Sequence, residues 1–323
     1  MKITDQEANF NTDGALHECI SSPEEMLLFD IETTGLKKEY CRVYLTGCAY
    51  LSNGRWRIKQ WLSQNASDEK AVLEAFASFA CAFRTLVTFN GERFDIPFLE
   101  YRNKQYGVNL NFADFRSLDI YKEIKPAKKL LGASSLRQKA VEELIGIKRD
   151  DKMDGGALIP YYYEYEQTLD EKNEKLLLLH NFDDVEGMGR ILPALSYPDI
   201  LKGRFEYNGY EIIGDSLEAA FTLERPVPAP FKNGAAAADG NLLTVSFDIK
   251  NGKVCLPVRD YRNYYYLPLE DKVIHKDLAA FVGRKYKRKA VKSDCFLKVE
   301  TAQIEKLEGR EFKEYALNVL RAY

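Results

Sequence analysis

Residues 26–36 read MLLFDIETTGL, and no other stretch limits so sharply what the chain can become. Four apolar residues, Met26 to Phe29, predict a short buried strand that runs into Asp30, Ile31 and Glu32, with Thr33-Thr34-Gly35 as its exit. Side chains alternate along a strand, so Asp30 and Glu32 point the same way. Two carboxylates side by side at the end of a buried strand repel one another and lose hydration, which is tolerable when a cation sits between them. A divalent metal ion meets that need. Asp-x-Glu alone is equally the pattern of two exposed acids at a strand end, so further ligands have to come from elsewhere in the chain.

They come from two places. Val43 to Tyr50 and Arg55 to Leu62 predict two strands joined at Ser52-Asn53-Gly54, a hairpin signal, giving three neighbouring strands with the acids on the first. Residues 67–83 have helical apolar spacing with Ser67-Asp68 at the start, and a strand over Thr85 to Phe89 follows. That strand delivers Asn90-Gly91-Glu92-Arg93-Phe94-Asp95, in which Asp95 opens a helix and Pro97 is acceptable in its first turn. Phe115 to Tyr121 predicts another short strand carrying Asp119, at most a supporting acid. Residues 134–145 predict an amphipathic helix capped by Ser134 or Ser135, and the spacing of Tyr161, Tyr162, Tyr163 and Tyr165 favours core packing over base stacking. In a helix from about Leu169 to Leu195, His180 and Asp184 are four apart and share one face.

DIETTGL, Asn-x-x-x-Phe-Asp and His-Asn-Phe-Asp-Asp-Val, in this order, resemble the motifs of the DnaQ-like (DEDD) 3′–5′ exonucleases on the ribonuclease-H-like fold. In that superfamily the third motif is Tyr-x-x-x-Asp or His-x-x-x-x-Asp. Here His stands at the three-residue gap, a hybrid similar to the YprB-type bacterial branch, which residues 134–151, SSLRQKAVEELIGIKRDD, also resemble. The resemblance implies that Asp30, Glu32, Asp95 and Asp184 bind two divalent ions, Mg2+ or Mn2+, with Asp30 bridging both, for two-metal phosphodiester hydrolysis. It implies that His180 orients or deprotonates the attacking water, a task suited to an imidazole. Thr33, Thr34 and Leu36 would line the terminal nucleotide, and Asn90 and Phe94 would shape its backbone channel.

Composition bounds these expectations. Only His17, His180 and His275 are histidines, so metal chemistry rests on carboxylates, which favours magnesium or manganese over zinc. Cys19, Cys41, Cys48, Cys81, Cys255 and Cys295 form no CxxC pair, which argues against a structural zinc site or disulfide framework and predicts reduced thiols. No apolar run approaches the roughly 18 residues of a membrane helix, and the N-terminal MKITDQEANF is polar, so neither a membrane span nor a signal peptide is predicted and the expected location is cytoplasmic. Residues 1–200 carry 25 Lys and Arg against 32 Asp and Glu, and residues 201–323 carry 21 against 17. The acid-bearing part therefore needs metals to approach a phosphate chain, and the C-terminal part is the better partner for a polyanion.

From residue 201 onward, short apolar or aromatic runs (Arg204 to Ile213, Leu242 to Ile249, Lys253 to Val258, Tyr261 to Leu267) alternate with Asn-Gly and Asp-Gly turns. They predict an antiparallel module with a loop at Pro226 to Gly240 and helices near His275 to Phe281 and Thr301 to Tyr323. VGRKYKRKAVKS, from Val282 to Ser293, holds Arg284, Lys285, Lys287, Arg288 and Lys289 without an acid and follows Tyr261, Tyr264, Tyr265 and Tyr266. That mixture suits phosphate contact plus base stacking, with a solvated basic stretch as the alternative.

The predicted organisation is α/β: a lead-in over 1–23, a ribonuclease-H-like mixed sheet flanked by helices over 24–198, and a smaller β-rich α+β module over 199–323 that binds nucleic acid or a protein partner. The sheet is expected to be antiparallel among its first three strands and parallel beyond. The predicted activity is a 3′–5′ exonuclease on single-stranded DNA or RNA, a choice that residue spacing does not reveal. The alternative is a non-catalytic nucleic-acid or protein-binding module on a degenerate nuclease fold. Four carboxylates that repel one another without metal argue against it.

Overall fold

The computed structural model describes residues 1–12, 22–149, 153 and 155–322, so His17, Cys19, Asp150, Asp151 and Tyr323, which figure in the sequence expectations, lie outside the described residues. The chain forms two compact units, Met1–Pro126 with Ser134–Leu195, and Ala127–Ala133 with Ser196–Tyr323. Among the described residues, Cys41, Cys48, Cys81, Cys255 and Cys295 are free cysteines. No helix among the described residues is long and apolar enough to cross a membrane.

The first unit is built on six strands, β1 (Lys2–Glu7), β2 (Met26–Thr33), β3 (Val43–Ser52), β4 (Arg55–Leu62), β5 (Thr85–Thr88) and β6 (Arg116–Asp119), in the order β1-β4-β3-β2-β5-β6. The pairs β2–β3, β3–β4 and β4–β1 are antiparallel, and β2–β5 and β5–β6 are parallel. This is the expected mixed sheet with one strand more. The polar segment at the start of the chain, read as a loose lead-in, is an edge strand instead. With Ile3 as its single apolar residue it offers no alternation to pattern reading, but charge holds it: Asp5 accepts from Arg57 Nε at 2.8 Å and from the Tyr50 hydroxyl at 2.8 Å. A charged edge also resists pairing with a second sheet.

Among the described residues, six α-helices accompany the sheet: α1 (Glu69–Ala80), α2 (Asp95–Tyr106), α3 (Ile120–Ile124), α4 (Gln138–Leu144), α5 (Gly155–Thr168) and α6 (Glu171–Arg190). Leu27, Phe29 and Ile31 of β2 pack with Val72, Leu73 and Phe76 of α1 and with Phe98 and Leu99 of α2. Each such side chain contributes about 1.5–3 kcal/mol by leaving water. Alternation then turns Leu28, Asp30 and Glu32 to the opposite face, where α6 crosses β2 and β3. That second face has its own core, in which Tyr44 stacks on Tyr162 at 4.1 Å and Tyr165 and Leu177 are buried. Tyr162 and Tyr165 are thus core residues, while Tyr161 and Tyr163 are exposed. The helix expected over 134–145 begins later, because the Ser135 hydroxyl accepts the Arg137 N–H in a turn ahead of it.

The second unit holds α7 (Ser196–Lys202), the strands β7 (Phe205–Ile213), β8 (Ser216–Leu223), β9 (Phe231–Asn233), β10 (Ala236–Asp239), β11 (Leu242–Lys250), β12 (Lys253–Pro257), β13 (Tyr264–Leu267), β14 (Lys272–His275), β15 (Arg288–Lys289) and β16 (Phe296–Glu300), and the helices α8 (Lys276–Ala279) and α9 (Gly309–Leu320). Seven strands form one sheet, ordered β16-β12-β11-β10-β9 with β8 joined to β11 and β7 to β8, and β14-β13-β15 form another. This is the expected β-rich module. Two of its strands occupy the stretch read as a loop at Pro226 to Gly240. Alanine has little strand propensity, but pairing of β10 with β11 buries Ala236 and Ala238, and tertiary context overrides the local preference.

Candidate active site

Three elements bring the predicted acids together. β2 carries Asp30 and Glu32 on the face that α6 crosses. The parallel neighbour β5 ends in a turn at Asn90, whose φ of 65° is left-handed, and the turn leads into α2, which opens on Asp95. Asp119 secures that turn, its carboxylate accepting the backbone N–H groups of Asn90 at 2.9 Å and Glu92 at 3.2 Å. The supporting acid of the sequence thus acts on the loop that delivers Asp95. From above the sheet, α6 contributes His180 and Asp184, started by Asp170, which accepts the N–H groups of Lys172 and Asn173.

Asp30, Glu32, Asp95, His180 and Asp184 line one open cavity of about 510 Å3, together with Phe89, Asn90, Phe94, Arg137 and Gly155. His180 Nε2 lies 3.5 Å from Glu32 Oε1 and 3.3 Å from Asp184 Oδ2. Ligand atoms of Glu32, His180 and Asp184 all fall within 4.8 Å of one another. The backbone closes over them at the start of α5, where a Cβ on Gly155 would stand 3.3 Å from Glu32 Oε2 and 3.6 Å from His180 Nε2.

Burial, reinforced by the neighbouring charges of Asp95, Glu32 and Asp184, raises the Asp30 carboxyl well above the usual carboxylate range, against the pull of an Asn181 hydrogen bond. Asp95 is pushed up to about 7, mainly by burial, although the Ile31 N–H donates to it. Neither acid has a cationic side-chain partner among the described residues. A set of mutually repelling carboxylates beside one imidazole has the donor chemistry of a divalent-cation site.

Asp30 is oriented by a device that the motif reading did not assign. Asp30, Gly47 and Gln60 stand side by side across β2, β3 and β4. Asn181 of α6 reaches down over Gly47, donating Nδ2 to Asp30 Oδ2 at 3.1 Å and accepting Gln60 Nε2 on Oδ1 at 3.0 Å. The Gln60 donor fixes which end of the Asn181 amide faces Asp30. A lone glycine inside a strand signals such a close approach, and Gly47 was that signal. Arg137, an exposed cation on the cavity wall, and Arg149, an ion-pair partner of Asp184, were missed as well.

The remaining predicted residues divide. Asn90 and Phe94 line the cavity. Thr33, Thr34 and Leu36 are not among its lining residues: Thr33 Oγ1 donates to the Gly35 carbonyl, Thr34 Oγ1 accepts from the Arg42 N–H, and Leu36 is 85% exposed. In the second unit, Arg284, Lys285 and Lys289 are exposed. Lys287 instead donates to the Ala279 carbonyl and lies over the Tyr265 ring, and Arg288 forms a two-point pair with Asp294 at 2.6 and 2.9 Å. A larger cavity in that unit, about 1020 Å3, is walled in part by Phe247, Pro257, Val258 and Val319, with Asp248 and Asp260 as its acids among the described residues.

Comparison with known proteins bears on this geometry. A family model described as RNase_H superfamily matches residues 27–196, just over half of the chain. No curated protein sequence matches the chain. Among solved structures, it is similar to the family B DNA polymerase from the hyperthermophilic archaeon Pyrobaculum calidifontis, at 18% identity and a TM-score of 0.45, over 58% of this chain and 26% of the polymerase.

Proposed function

Because the chain belongs to the RNase H superfamily, we propose that it is a metal-dependent 3′–5′ exonuclease that hydrolyses single-stranded DNA or RNA. The observation that carries this reading is the convergence of Asp30, Glu32, Asp95 and Asp184, from three separate elements, on one open cavity with His180 among them. The 3′ direction rests on the motif resemblance. The four carboxylates would hold two divalent ions, Mg2+ or Mn2+, which when bound supply a polarised water and counter-charge for the departing oxygen.

The chain's own groups do the rest. His180 Nε2, aimed at Glu32 and Asp184, is positioned to take the proton of the attacking water or to hold that water in line. Phe89 and Phe94 give the cavity apolar walls against which a terminal base stacks, and Asn90 offers an amide to the backbone. Arg137 has no acidic partner among the described residues and, on a wall that also carries Lys139, supplies a phosphate contact in this acidic cavity. In the second unit, Arg284, Lys285 and Lys289 are exposed, as is Tyr286, a mixture suited to phosphate contact and base stacking.

The test is incubation with 5′-labelled single-stranded DNA and RNA in Mg2+ or Mn2+. A ladder shortening from the 3′ end, absent in Asp30→Ala, supports the proposal. Intact substrate with measurable binding favours the non-catalytic binding module instead.

A further inference from the structure

Behind the acid cluster lies an ion-pair network that metal binding and water activation do not by themselves require. Arg149 approaches Asp184 with Nη1 2.5 Å from Oδ1. Its other face is bound to Glu142: Nε donates to Oε2, and Nη2 lies 2.9 Å from Oε1. Nη2 also donates to the Asp183 carbonyl at 3.3 Å. Gln138 closes the network, its Nε2 reaching Glu142 Oε1 at 3.0 Å and the Asp184 carbonyl at 2.7 Å. Arg149 and Glu142 are almost entirely buried, with side chains 9% and 1% exposed.

The helix is cut to receive this group. Gly187 lies on α6 one turn after Asp183 and Asp184, and a Cβ there would stand 2.2 Å from Glu142 Oε1 and 2.9 Å from Arg149 Nη2. Any side chain at that position would expel the carboxylate and the guanidinium from the helix surface. A buried ion pair is poor evidence of stabilisation, because desolvation offsets most of its attraction. What the network does accomplish is geometric. Asp184 has two oxygens, and the structure divides them: Oδ1 is engaged by Arg149, and Oδ2 faces His180 at 3.3 Å.

We infer that Arg149 is a positioning residue for Asp184, fixing the carboxylate by one oxygen so that a single oxygen is presented to the cation site. Glu142 completes the arrangement. It balances the guanidinium charge, so Asp184 is oriented without the acid cluster losing its attraction for a cation. Partners behind a ligand that fix its orientation commonly govern metal affinity, and their loss costs about 10–100-fold in affinity or activity. This inference rests on the nuclease reading, because it takes Asp184 to be a metal ligand.

The test uses the full chain, Mn2+ as the probe, and two variants. In Arg149→Met with Glu142→Gln the buried pair is removed together, so that neither charge is left stranded. Arg149→Lys keeps the charge but cannot span both carboxylates in the same way. Mn2+ affinity is read by calorimetry, folding by the thermal transition, and kcat and KM on a 5′-labelled strand. Expected is a cooperative thermal transition with Mn2+ affinity and kcat each lower by about 10–100-fold in the double variant, KM unchanged, and Arg149→Lys in between. Wild-type Mn2+ affinity in a folded double variant overturns the inference while leaving the nuclease reading intact. Should the double variant not fold, Arg149→Lys decides, wild-type affinity and kcat there being the refuting result. A wild-type chain with no saturable Mn2+ binding removes both.

Discussion

Replacing Gly47 with alanine adds a single methyl group, and its cost can be worked from the structure. The new Cβ would lie 1.9 Å from Asn181 Oδ1, 2.8 Å from its Cγ and 3.1 Å from its Nδ2. Asn181 is fully buried and tied to Gln60 on one side and Asp30 on the other, so it cannot swing aside without breaking both bonds. Overpacking of this kind costs about 1–3 kcal/mol, and leaving a buried polar group without its hydrogen-bond partner costs about 1–3 kcal/mol. The expected loss of stability is therefore about 4 kcal/mol, a large part of the ~5–15 kcal/mol that holds a typical domain. The assay is urea unfolding of wild type, Gly47→Ala, Asn181→Ala and the double variant. Removing the Asn181 side chain makes room for the methyl, so the double variant should be more stable than the sum of the single effects by about 1–3 kcal/mol. Hydrolysis should not recover with it, because Asp30 still lacks its donor. A Gly47→Ala chain within about 0.5 kcal/mol of wild type would refute the close approach of Asn181 to the sheet.

Asp30 and Asp95 are raised mainly by burial, Asp95 to about 7. A carboxyl raised on folding favours the native state while protonated, so its contribution is full below the unfolded value near ~4 and is lost as pH climbs through about 7. Mg2+ should therefore shift the urea midpoint more at pH 8 than at pH 5, and equal shifts would contradict the cation-poor acid cluster. His180→Phe should lower the hydrolysis rate by about 10²–10⁴; an unchanged rate would reduce His180 to a packing role. Changing Arg284, Lys285 and Lys289 to Gln should reduce the salt dependence of binding to a long single strand by roughly 0.7 in log–log slope per lost phosphate contact, whereas an unaltered slope would leave the surface merely solvated.

The acids were legible because each sits where local sequence dictates its placement. Asp30 and Glu32 follow an apolar strand, Asp95 opens a helix after the next parallel strand, and His180 and Asp184 are one helical turn apart. The supports around them were not, because they depend on register and long-range docking. Gln60 meets Asn181 across a separation of 121 residues, and that meeting requires the β2–β3–β4 register to be known first. Arg149 falls in a polar run after α4 whose sequence says only that a helix has ended. Edge strand β1 and the alanine strand β10 were missed for a related reason. The first is held by charged cross-strand contacts and the second by its neighbours in the sheet, neither of which leaves an apolar alternation to read.

The claim on which the rest depends is that Asp30, Glu32, Asp95 and Asp184 form a cation site. Crystals of the full chain soaked in Mn2+ would test it directly through the anomalous signal of the ion. Anomalous density is expected in the cavity, with oxygens of Asp30, Glu32 and Asp184 at coordination distance and the density lost in Asp30→Ala. Fully occupied Mn2+ elsewhere on the chain and none in this cavity would contradict it.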